Sequence, residues 1–75
     1  MNNRRQFLVN LIFDPEYHGY VADVPQLPGC MSQGQTVEAA LKNARKAIKV
    51  YLKDEPRLAE RHIPEVLTSQ IEVRV

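Results

Sequence analysis

Cysteine is nearly missing from this chain, and so is any surplus of charge. A single Cys30 among 75 residues excludes an internal disulfide. Only His18 and His62 accompany it as soft ligands, and their spacing makes no structural metal site, so no metal or cofactor is expected. Ten basic residues face nine acidic ones, for a formal net charge of +1. That balance lacks the basic footprint of a nucleic-acid binder and the acidic run of a solvating tail. Arg4 and Arg5 form only a weak basic spot, read as a solvated end. No apolar run is long enough to span a bilayer. No charged start, apolar stretch and small-residue cleavage site marks a secretory signal. With one free thiol and no export signal, a reducing, cytoplasmic setting is expected.

A chain of 75 residues reads as one small domain, 1–75. Such a domain buries only about 60–65% of the surface its unfolded chain exposes, so its core alone is marginal. Disulfide and metal being excluded, oligomerisation is the remaining common source of extra burial.

What the chain does have is a stiff corner, Val24-Pro25-Gln26-Leu27-Pro28-Gly29-Cys30. Each proline fixes its φ, lacks an N–H and biases its predecessor toward an extended shape. Gly29 after Pro28 supplies the positive φ of a tight turn. Before the corner, residues 6–13 read as a strand with Phe7, Val9, Leu11 and Phe13 on one face. Leu8 and Ile12 make its second face apolar too, which fits a central strand. Asp14-Pro15-Glu16-Tyr17-His18-Gly19 is a turn, closed by Gly19. Residues 20–24 make the second strand, and 30–33 a short third, broken by Gly34-Gln35.

Thr36 then caps the clearest element. Val37, Ala40, Leu41, Ala44, Ala47, Ile48, Tyr51 and Leu52 recur at helical spacing, with Lys42, Asn43, Arg45, Lys46 and Lys49 opposite them. The spacing predicts a helix of about 17 residues, roughly 25 Å long. Pro56 and Pro64 bracket a polar segment with room for one turn around Leu58. Ile71, Val73 and Val75 alternate with Glu72 and Arg74 as a last strand.

The expected fold is therefore α+β, in the order β-β-β-α-β: a three-stranded antiparallel meander, one helix on one face, and a C-terminal strand parallel to the first. A right-handed crossover gives the strand order 3-2-1-4, with 6–13 central. One helix covers one face. The other, carrying Leu8, Ile12 and Val21, is either a homodimer surface or lies under the 54–68 segment.

These residues resemble the N-terminal domain of the HicB antitoxin family. The resemblance runs from the first strand to about Pro64. It rests on Gly19-Tyr20-Val21-Ala22, the corner itself, Gly34-x-Thr36, Glu38-x-Ala40-Leu41, Asn43-Ala44 and Ile63-Pro64. It implies a truncated ribonuclease H-like fold and a protein that binds a small, basic, RNA-cleaving HicA-like toxin and blocks it sterically. Family members often carry acids at the positions of Gln26 and Gln35, and Glu at that of Ala39, where it completes a capping box with Thr36. All three are neutral here. Many members add a C-terminal DNA-binding domain. The sequence ends at Val75 without one, so no direct DNA binding is expected.

Enzymatic chemistry is not expected. Ribonuclease H catalysis needs converging carboxylates around two metal ions. The mid-strand polar residue here is the neutral Asn10, and Asp14, Glu16, Asp23 and Glu38 are scattered. Cys30 reads as a small buried residue, with no base placed beside it. The basic helix face reads as solvated, so RNA is not an expected ligand. The contact candidates for a toxin are Tyr20, Asp23, Gln26, Leu27 and Gln35, expected to cluster near the corner. Leu8 and Ile12 are the candidates for a dimer contact. The alternative to an antitoxin is a solitary homodimeric structural or regulatory protein that has lost its toxin.

Overall fold

A computed structural model describes residues 5–54 and 66–75. Strands β1 (Asn10–Asp14), β2 (Gly19–Asp23) and β3 (Met31–Gly34) precede one helix, α1 (Val37–Asp54). The strands form one antiparallel sheet in the order β1-β2-β3, so the α+β class and the meander are as expected. No helix among the described residues is long and apolar enough to cross a membrane.

The β1–β2 turn is organised by Asp14. Its Oδ1 accepts the N–H of Glu16 at 3.0 Å and of Tyr17 at 3.4 Å, the local bonding that favours Asp at a turn start. The left-handed position falls on His18, at φ 60°, and not on Gly19. Gly19 is needed for a different reason. A Cβ there would lie 2.6 Å from the Gly34 carbonyl oxygen and 2.8 Å from the Gln35 Cα.

Strand β1 is shorter than the period-two pattern suggests, beginning at Asn10 rather than at residue 6. Its first pair is Asn10 with Asp23. Beyond Asp23 the partner strand turns into the corner, where Pro25 has no N–H to offer a ladder. Residues 6–9 continue beside the corner and join no strand among the described residues, and a side chain substitutes: Gln26 Oε1 accepts the Leu8 N–H at 2.6 Å.

Two apolar clusters hold the helix down. Ala22, Ala40 and Ala44 are buried together, with Val9, Leu11 and Tyr20 packed around them. Side chains this small let α1 lie close on β2. Val24, Leu27 and Cys30 form the second cluster, with Phe7, Val9, Ala47, Ile48, Tyr51 and Leu52 against it. Thr36 caps α1 as expected, its Oγ1 accepting the Ala39 N–H at 3.0 Å.

Two expectations change. Residues 66–75 form no strand, and the described sheet contains only β1, β2 and β3; Ile71 is 86% and Val73 64% exposed. Alternation alone makes a segment able to join a sheet, but a strand exists only in a ladder. Consequently β2 is central among the described strands, and β1 is an edge. The turn around Leu58, together with His62 and Ile63-Pro64, falls outside the described residues.

Candidate functional site

The corner is two successive β-turns. Leu27 N–H donates to the Val24 carbonyl at 3.1 Å, and Cys30 N–H to the Leu27 carbonyl at 3.0 Å. Each turn has proline at its second position. Gly29, at φ 79°, fills the third position of the second turn, the arrangement of a type II turn. Val24 N–H donates to the Cys30 carbonyl at 3.0 Å and closes the loop. The Tyr51 hydroxyl donates to the Pro28 carbonyl at 2.8 Å and ties the loop to α1.

Chemistry at Cys30 is disfavoured by its setting. Cys30 is 3% exposed. Burial pushes its pKa up, and the charge of Asp23 acts in the same direction. A thiol held protonated at neutral pH is a poor nucleophile. Among the described residues, no three His, Cys, Asp or Glu side chains come together as metal ligands would.

The contact candidates divide into two groups rather than clustering. Asp23, Gln26 and Leu27 lie at the corner end of the sheet. Tyr20 pairs with Gly34 at the other end, and Gln35 follows Gly34. Strand β3 separates the groups, because it carries the chain from the corner to the start of α1. The corner therefore packs on the C-terminal half of the helix. Leu27 is 1% exposed, so its side chain fills the corner from inside. Gln26 is half-buried and engaged with Leu8. Replacing it by Leu should lower stability by about 1 kcal/mol through the lost acceptor. Gln26→Glu, which keeps an acceptor, should stay near wild type. Urea unfolding midpoints of the two variants check this.

What lies open is the sheet face away from α1. Cross-strand pairing puts Ile12, Val21 and Gln33 on it in one row, and Asn10, Asp23 and Met31 in the next. Ile12 is 54% and Met31 56% exposed. Leu8, on the same side, shares a cleft with Val66 and Leu67. Met31 was not legible as a surface residue, since β3 occupies 31–34 rather than 30–33. Facing on a strand is decided by register, and register is set by the corner. On the helix side, Phe13 and Tyr20 form an edge-to-face pair with centroids 5.5 Å apart.

Comparison of the sequence with known proteins places the chain in a family. The sequence model of a family described as the HicB-like antitoxin of bacterial toxin–antitoxin systems matches residues 8–73. The chain belongs to that family. A UPF0150 protein of Helicobacter pylori J99 is 47% identical over 47 residues, 63% of this chain and 65% of that protein. A UPF0150 protein of Thermoplasma acidophilum is 52% identical over 33 residues, 44% of this chain and 48% of its own length. One of Synechocystis is 38% identical over 52 residues, 69% of this chain and 74% of that protein. The chain thus spans less than two thirds of the first two relatives. No solved structure matches. For a HicB-like chain, the rigid corner and the glycine contacts at the start of α1 are the positions where resemblance and packing coincide.

Proposed function

We propose that this HicB-like chain is a non-enzymatic antitoxin module that binds a small HicA-like toxin and covers its RNA-cleaving site. The family match over residues 8–73 carries the reading. The open sheet face supplies a surface suited to it. Asp23 and exposed Met31 sit in one row beside the corner, and an acid flanked by apolar surface complements a basic, RNA-binding partner. Tyr20 points to the helix side of β2 and Gln35 follows β3, so neither belongs to this row; they are candidates for a second contact at the far end of the sheet. Gln26 and Leu27 contribute by holding the corner in shape. The protein acts in the cytoplasm as a homodimer joined along the β1 edge, with Leu8 and Ile12 as the contact candidates. Its partner is protein; neither DNA nor RNA is its ligand.

Co-expression with a HicA-like toxin tests the reading. Growth should be rescued by the wild-type chain and lost with Asp23→Lys combined with Met31→Lys, two changes at half-buried or exposed positions. Rescue that survives both changes would refute the surface. Toxicity that persists with the wild-type chain favours the solitary homodimer instead.

A further inference from the structure

We propose that two copies of this chain exchange their C-terminal arms, residues 69–75 of each lying in a groove between residues 5–9 and α1 of the other. This specifies the homodimer reading above. The groove is about 740 Å³, floored by Phe7, Val9, Leu41, Ala44, Ile48 and Leu52, and rimmed by Arg45 and Lys49. It lies where residues 6–9 join no strand among the described residues and run beside the apolar face of α1. Leu41, on its wall, is 40% exposed.

The arm has the complementary pattern. Ile71, Val73 and Val75 fall on one side by period-two spacing, and all three are exposed, at 86%, 64% and 115%. Glu72 and Arg74 fall on the opposite side of the arm and balance each other in charge. Seven extended residues cover roughly 23 Å, enough for the roughly 17 Å between Leu41 and Leu52 on the helix.

The occupant is the second copy's arm because each arm is rooted on its own body and lies off its own groove. Val66 and Leu67 share a cleft with Gln6, Phe7, Leu8 and Gln26, yet the residues after them are exposed and lie in no strand. The two sheet edges also differ. On β3 a main-chain acceptor is already taken, the Gln33 carbonyl receiving the Asn43 Nδ2 at 2.8 Å. Among the described residues the edge of β1 carries no partner strand, so it can accept an added strand. Reciprocal exchange closes both grooves around one two-fold axis and leaves neither arm in water.

Cysteine pairing across the proposed contact is the test, with the buried Cys30 left in place. Chains carrying Leu41→Cys are mixed with chains carrying Val73→Cys and oxidised mildly. A covalent pair containing one of each chain is expected, and neither variant alone should cross-link. The doubly substituted chain should likewise give linked dimers. A disulfide closed within one chain would overturn the exchange, as would the absence of any disulfide. Deleting residues 70–75 should convert the dimer to monomer in light scattering at unchanged helical circular dichroism. A dimer that survives the deletion would also overturn it. No toxin enters these measurements, so they fail or succeed independently of the neutralisation assay.

Discussion

Gly34→Ala should destabilise the fold by roughly 3 kcal/mol, at the upper end of what forcing a methyl into packed structure costs. An added Cβ would stand closest to the Ala40 nitrogen, then 2.6 Å from the Ala39 carbonyl carbon and 2.8 Å from the Ala40 Cα. Every one of these is backbone, so no side chain can swing away. The end of β3 and the first turn of α1 would have to part. That separation would open the contact of Ala22 with Ala40 and Ala44 and pull on the Thr36 cap. A domain this small holds about 4–11 kcal/mol in total, so the loss is a large share of it. Gly29→Ala is the control. Gly29 also has a positive φ, 79°, but open space around it, so it should lose only about 1 kcal/mol, from backbone strain alone. Urea unfolding of both variants measures the difference. Equal midpoints would show that the contact between β3 and α1 is looser than the geometry described.

Parts of this structure were readable from residue order because they are local. The helix from Thr36 declares itself through its cap and its spacing, and the corner through Pro at one turn position and Gly at the next. The reach of each strand was not readable. Residues 6–9 have the alternation of a strand, but whether they pair depends on where the partner strand turns away, and Pro25 ends β2 before it can reach them. The use of Gln26 as a substitute acceptor follows from that mismatch, which no local pattern announces. Gly19 shows the same limit: its position next to a turn suggests positive φ, whereas its need comes from Gly34 and Gln35, distant in sequence. The surface candidates were dispersed for a related reason. Tyr20 and Asp23 are neighbours in sequence, but they point to opposite faces of β2, and β3 carries Gln35 away from the corner. The C-terminal alternation was legible as strand-forming capacity, while the ladder it would join is a long-range matter.

Leu27→Ala should cost about 3 kcal/mol, within the range seen for emptying a buried leucine site. Leu27 is the largest side chain in the middle of the corner and is 1% exposed. Its neighbours are the least able to collapse onto a void. Pro25 and Pro28 hold φ on either side of it, and three main-chain hydrogen bonds tie Val24, Leu27 and Cys30 to one another. The Tyr51 hydroxyl bond to Pro28 fixes the loop against α1 from outside. A rigid wall relaxes little, so the cavity term adds to the lost transfer energy rather than being relieved. Because Leu27 presents no surface, the variant separates two roles that the corner could have. If the corner acts as scaffold, urea unfolding shifts while toxin neutralisation persists at temperatures where the variant stays folded. Asp23→Lys should do the reverse, weakening neutralisation with little change in unfolding. A Leu27→Ala chain that unfolds like wild type but no longer neutralises would mean that Leu27 is drawn out to meet the partner.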